Sequence, residues 1–204
     1  MLAARANRAI LTVAMGARIP LTFRAESERV VLRAPRVEDA EELLTLQSDA
    51  WDFIGPWMPA ADIVEDPLAA TRERAQTDRT LWAEDRSYRF VVCARKTGKI
   101  IGRVSLNNVI RGVLQSTDIG YWIGPNHARL GLTTEAVRAS IDVAFGPVGL
   151  HRVQAGIIPR NVASLALARR IGFREEGLAR RFVKIAGVWE DHVIFAVTVE
   201  EWPQ

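Results

Sequence analysis

The stretch GYWIGPNHARLGLTTEA, residues 120–136, runs from an apolar strand-like segment through a loop holding Gly131 straight into a helix-like segment. Such a junction aims several backbone N–H groups at one point, where the helix dipole also favours negative charge. The dipole contributes only about 0.3–1 kcal/mol there, so the fixed array of amides counts for more. Arg129 and the hydroxyls of Thr133 and Thr134 can add bonds to a phosphate. The same residues also describe an ordinary helix start, with Gly for a turn, Thr for capping and Arg in solvent; one glycine does not separate the two. Downstream, NVASLALARRIGF (161–173) opens with Asn161, a residue suited to capping a helix. Its one hydroxyl, Ser164, sits four residues before Ala168 and shares a helix face with it, offset by about 40°. Asp118, at the head of DIGYWI, places a carboxylate in a central strand. There it either polarises a water or stands as an exposed strand acid.

These residues need elements to position them. ERVVLRAP (28–35) alternates and reads as a first strand, and RVEDAEELLTLQSDA follows with a helical stripe. WDFIGPWMPAADIVEDP (51–67) is punctuated by Gly55-Pro56, Pro59 and Pro67 and reads as a loop, and a helix starting at Pro67 comes next. Two strands joined at KTGK precede the strand QSTDIGYWIG, the helix GLTTEAVRASIDVAF, the strand HRVQAGIIP and the helix 161–172. A hairpin turning near Ala186-Gly187 closes the chain. The order is β-α-α-β-β-β-α-β-α-β-β: one α/β domain with a mixed, largely antiparallel sheet flanked by helices.

Composition bounds the function. The chain has 204 residues, 49% apolar and 25% charged, with a net charge of +3 and acids and bases interspersed. That is a globular profile without a nucleic-acid footprint. A single cysteine, Cys93 in RFVVCA, excludes an internal disulfide and a cysteine-rich zinc site and reads as a buried strand residue. No apolar run is long enough to cross a membrane. The start, MLAARANRAILTVAMGARIP, resembles a weak leader with a short apolar run; an N-terminal extension over 1–27 ahead of a domain at 28–204 is the expectation, in an intracellular, cytoplasmic enzyme.

The element order, the junction at 120–136 and RNVASLALARRIGF together resemble the GNAT acyltransferases, and within them the RimJ/RimL branch. LRAPRVEDAEEL, IGRVSLNNVIRGVLQSTDIGYWI, LHRVQAGIIPRNVASLALARRIGFREEGLARRF and GVWEDHVIFAVTVEEW are similar to that branch in collinear order over 28–202, most of all to RimJ. The resemblance implies acetyl-CoA as donor and a primary amine as acceptor, the N-terminal α-amine of a protein or peptide foremost. A small amine, or a non-catalytic acyl-CoA-binding module, is the alternative. It also implies that the donor lies in a splay between DIGYWI and RVQAGIIP. Backbone groups of Trp122 and Ile123 would pair with the pantetheine arm, and residues 128–134 (Ala128, Arg129, Leu130, Gly131, Leu132, Thr133, Thr134) would hold the pyrophosphate. The family's loop, Arg/Gln-x-x-Gly-x-Gly/Ala, aligns with Ala128, Gly131 and Thr133, so only the central glycine is retained.

Many members carry a tyrosine proton donor seven residues after the helix asparagine, where this chain has Ala168. In the RimL branch the serine of Asn-x-x-Ser is the proposed donor, and Asn161 and Ser164 match that pattern; the resemblance also implies that both contact the cofactor, which for Asn161 is compatible with capping. The branch glutamate falls on Val183, which leaves Asp118, Glu190, Asp191 and His192 as candidate bases. Asp118 is preferred; Trp189 and Asp191 are expected to be structural, and His127 and His151 ordinary loop and strand-start residues. Trp57, in FIGPWMP, resembles an aromatic that covers the end of the acceptor, and core packing would explain it equally. A homodimer is compatible with the resemblance; no metal, membrane or nucleic-acid partner is expected.

Overall fold

Hairpin turns and one helical crossover decide how the strands join. Gly98 and the Ala186-Gly187 pair supply the positive φ values that tight turns require, at 72°, 46° and 87°. Antiparallel pairing therefore joins β3 (Tyr88–Ala94) to β4 (Ile100–Ile110), and β7 (Arg174–Ile185) to β8 (Val188–Thr198). Between β5 (Ser116–Ile123) and β6 (Arg152–Ile157) the chain crosses over through α4 (Leu132–Phe145), so that pair is parallel. This computed structural model describes residues 18–59 and 64–203. With β1 (Arg24–Glu26) and β2 (Val30–Arg33), the sheet has eight strands in the order β1-β2-β3-β4-β5-β6-β8-β7. Every neighbouring pair but β5–β6 is antiparallel. The remaining helices are α1 (Ala40–Asp49), α2 (Trp51–Ile54), α3 (Pro67–Ala83) and α5 (Val162–Ile171).

Alternation along the strands divides the residues between two faces. Val104, Leu106, Ile119, Ile123, Val153, Ala155 and Ile157 point to the side of α4 and α5 and form the main core with Val137, Ile141 and Ile171. On the opposite face a smaller cluster of Val31, Leu43, Val91, Cys93 and Ile100 lies under α1. Cys93 is buried there, as its apolar surroundings imply. The rest of that second face is polar. Asp78 of α3 is buried between Arg89 and Arg103, and Ser105, Asn107, Asp118, Gly120 and Trp122 are half-buried.

Two expectations change. Residues 18–27 are not an appendage: Ile19 and Phe23 are core residues, the Ile19 carbonyl accepts a 2.8 Å bond from the Trp82 indole N–H, and β1 pairs with β2. Burying two such side chains contributes about 2–3 kcal/mol apiece, so residues 18–27 pack with the sheet and helices that follow. Residues 51–57 are also not plain loop; they form α2 and a 3-10 turn, Gly55–Trp57, with Pro56 at a position where its missing N–H costs nothing. The apolar start of the chain and residues 60–63 lie outside the described residues.

Candidate active site

The parallel seam between β5 and β6 is short. It pairs Ser116 with Arg152, Thr117 with Val153 and Asp118 with Gln154, and ends there. Beyond it β5 stays joined to β4 as far as Ile123, and β6 to β8 as far as Ile157. The main-chain groups of Ile119–Ile123 that face β6 therefore have no ladder partner, although backbone N–H and C=O groups require one. A chain of amides entering this opening would complete the ladder, as in strand addition. Of the two expected pantetheine partners, Ile123 turns its main-chain groups to this open edge, whereas the Trp122 carbonyl points at β4. Gly102 lets β4 approach them: a Cβ there would collide with the Trp122 carbonyl and stand 2.8 Å from the Ile123 Cα.

The open edge leads into the loop 124–131. Arg129 and Gly131 both have left-handed backbones, φ 61° and 79°, which turn the chain so that Leu132 begins α4 with Gly131 as its N-cap. Ala128 packs against the core, while Arg129, Leu130 and Gly131 are exposed and Leu132, Thr133 and Thr134 half-buried. The geometry suits a diphosphate: successive amides at the start of a 14-residue helix, on a loop held from behind. The hold comes from the β1–β2 turn. Arg29 donates through Nη1 to the Leu130 carbonyl (2.9 Å) and through Nε to Glu135 (2.8 Å), which also accepts from Ser27 Oγ at 2.6 Å. Burial pushes the Glu135 carboxyl up, but the bonds from Ser27 and Arg29 outweigh it and hold it below the usual range. Arg29 thus offsets a negative charge that would otherwise repel an anion at the helix start.

Ser164 is half-buried. Asn161 caps α5, its Oδ1 accepting from the Ser164 N–H at 3.1 Å. Ala168, on the Ser164 side of the helix, is buried in the core. Across from Ser164 stands Tyr121. By strand alternation Tyr121 points away from Asp118 and Trp122, toward the helices. Its hydroxyl is sealed from solvent and makes no hydrogen bond of good geometry. Burial pushes the phenol up to about 12, with the nearby Ser164 side chain drawing it back. Tyr121 was not among the residues singled out from sequence; the period of two in DIGYWI already separates it from Asp118.

The second face of β5 gathers different chemistry. Asp118, at the last rung of the seam, accepts from Asn108 Nδ2 (2.7 Å) and Gln154 Nε2 (2.6 Å), so its carboxylate is fixed in place. Gly156 and the buried His192 lie further along this face. His192 Nδ1 meets the Glu190 carbonyl at 3.0 Å; a carbonyl only accepts, so Nδ1 carries the proton and a neutral ring keeps its lone pair on Nε2. Asp191 instead accepts from the Arg181 amide at 2.8 Å, at a bulge in β7, which is the structural role expected of it. Trp189 is 59% exposed and does not pack in the core. His151 meets Glu200 at the surface. Trp57 is half-buried and lies under the Arg160 guanidinium, 4.9 Å from ring centroid to Cζ. Arg160 also donates to the Pro56 carbonyl (3.2 Å) and pairs with Glu190 (2.8 Å), so one side chain ties the 55–57 turn to β8 directly ahead of Asn161. A cavity of about 350 Å³ opens on this same face, lined by Arg74, Asp78, Arg89 and Arg103. Among the described residues no cluster could hold a metal ion, and no helix is long and apolar enough to cross a membrane.

Known proteins are similar to this chain in sequence and fold. The sequence profile described as an acetyltransferase (GNAT) domain matches residues 29–174. A probable N-acetyltransferase, YjcK, of Bacillus subtilis is 38% identical over 172 residues, covering 84% of this chain and 95% of that protein. The [ribosomal protein uS5]-alanine N-acetyltransferase of Escherichia coli is 30% identical over 179 residues, 88% and 92% of the two chains. Among solved structures, Mycobacterium smegmatis RimJ in complex with CoA-disulfide superposes with a TM-score of 0.81 at 32% identity, covering 86% of this chain and 84% of that one.

Proposed function

This chain belongs to the GNAT acetyltransferases, and from that premise we propose that it acetylates the N-terminal α-amine of a protein or peptide, a ribosomal protein in the cytoplasm foremost. It is an acetyl-CoA-dependent N-acetyltransferase; the acceptor and the residue roles are the proposal. The name of the Escherichia coli relative states that substrate class for that protein. One observation carries the mechanism: β5 is open along one edge and presents Asp118 and Trp122 on one face, with Tyr121, beside Ser164, on the other.

Bound in the opening, acetyl-CoA supplies an acetyl thioester. The loop 128–134 and the start of α4 would hold its phosphates, and the free main-chain groups of β5 at Ile123 would orient it, with Trp122 beside them. A backbone N–H of that open edge would stabilise the negative charge that develops on oxygen. An amine has a lone pair only when neutral, so a base must act on the acceptor side. Asp118, held by two amide donors, takes that proton through a water. The departing sulfur needs a proton on the opposite side of the strand, and Ser164 Oγ–H faces that side. Acid and base are thereby kept apart by the thickness of the strand and do not neutralise one another. Trp57, pinned by Arg160, covers the outer end of the acceptor.

Calorimetry with acetyl-CoA, together with thiol release on peptides bearing N-terminal Ala or Ser and on small amines, tests this reading. Turnover on the peptides above that on free amino acids and polyamines is expected. Faster turnover on a small amine would overturn the acceptor, and binding without turnover on any acceptor would overturn the catalytic roles. Ser164→Ala is expected to lower kcat by at least about tenfold.

A further inference from the structure

Asp78 is buried between Arg89 and Arg103, and one carboxylate cannot neutralise two guanidinium groups. Arg89 is well served: Nη1 donates to Asp78 at 2.9 Å and Nε to Asn107 Oδ1 at 3.0 Å. Arg103 is not. Among the described residues its one hydrogen bond runs from Nη2 to Asp78, and its Nε is buried without an acceptor. Both arginines line the cavity of about 350 Å³ beside α3, together with Arg74, which is exposed and makes no ion pair among the described residues. Glu73, also exposed, is the only other acid among the lining side chains, so positive charge is in surplus there. The volume equals that of roughly ten waters, more than one acidic side chain fills. We infer that this cavity binds a carboxylate of the acceptor, the side chain of an Asp or Glu close to the N-terminus that is acetylated.

The cavity lies on the face of the sheet that presents Asp118 and Trp122. Arg103 stands opposite Trp122 across the β4–β5 ladder, and Asn107, which accepts from Arg89, stands opposite Asp118. Strand spacing puts the arginines of β4 and β3 about 7–12 Å from the opening at the far edge of β5. An extended peptide covers that distance in about two to four residues. An acceptor whose amine enters at the opening therefore brings the side chain of an early residue over the arginines. A carboxylate there accepts from their unused N–H groups, in the planar pairing that arginine favours. A lysine at the same place meets like charge. The inference rests on the reading of the acceptor as a peptide N-terminus given above, and adds which peptides are taken.

Initial rates on peptides of one length test it, each with N-terminal Ala and an amidated C-terminus, carrying Glu, Gln or Lys in turn at the second, third and fourth positions. At one of these positions Glu is expected to raise kcat/KM about tenfold or more over Gln, through KM, with Lys below Gln. The gain should shrink in about 0.5 M salt. Arg74→Glu, at an exposed helix position, and Arg103→Gln are each expected to reduce the preference to about twofold or less. An unchanged KM for acetyl-CoA shows that the variant is folded; Arg74→Glu alone decides if Arg103→Gln is not. Peptides turned over equally well with Glu and Gln at every position would overturn this proposal and leave the peptide acceptor standing. A preference for Glu untouched by Arg74→Glu would put the carboxylate elsewhere and sink the site. Turnover on no peptide would remove the acceptor reading and this inference with it.

Discussion

Asp118 holds both carboxylate oxygens against amide donors, an arrangement that fixes its position without neutralising it. An arginine in place of Asn108 or Gln154 would tie the charge up in an ion pair; an amide leaves it available to a water. Asp118→Asn removes the charge and keeps the shape. It is expected to lower kcat by about tenfold or more while acetyl-CoA binding, followed by calorimetry, stays as in the parent. Unchanged turnover would reassign the base, with His192 next in line. Asp118 and Ser164 were legible from residue type and spacing, because an acid before an apolar strand and a hydroxyl near a helix cap are local patterns. Arg160 was not. Its significance lies in what it meets, a tryptophan in another segment, and no local pattern encodes that.

The loop 124–131 and the 55–57 turn owe their shapes to single residues. Gly131 holds φ at 79°, and a Cβ there would stand 3.3 Å from the Arg29 guanidinium. Gly131→Ala should cost about 1–2 kcal/mol in backbone strain, felt where the amides must converge; calorimetry is expected to show CoA bound about tenfold more weakly or worse. Arg160→Ala should release the turn bearing Trp57, raising KM for a peptide acceptor several-fold more than KM for acetyl-CoA, as read from initial rates. Equal changes in both would show that Arg160 serves the helix rather than the acceptor turn. Most elements were readable from hydrophobic period and turn residues. β1 was not, since three residues, Arg-Ala-Glu, are too short to display alternation. The helical turns at 51–57 were hidden by Gly55 and Pro56, which read as breakers when only the residue types are visible.

Across the molecule, acid stability should follow carboxylates paired with arginine on the fold's periphery. Burial pushes the Asp39 carboxyl up, yet bonds from Arg33 and the Arg36 amide hold it below its usual value, and Asp85 behaves likewise beside Arg111 and Tyr88. A carboxyl depressed on folding stabilises the native state above its unfolded value, near 4, and that contribution fades as pH falls through the folded value. Thermal melts should therefore show Tm dropping steeply below about pH 4, and Asp39→Asn, with a lower Tm at neutral pH, should show a shallower drop. The short seam between β5 and β6 has a consequence on the same scale. Three residue pairs join a five-strand half-sheet to a three-strand one, so the two halves share little of their cooperativity through the backbone. A cofactor lying along the open edge would couple them, and at a hundredfold excess over Kd that linkage is worth about 2.7 kcal/mol. In hydrogen exchange, the amides of β5 beyond Asp118 should then slow on binding far more than those of β2 or β3. The substrate would act as the last strand of the fold it reacts in.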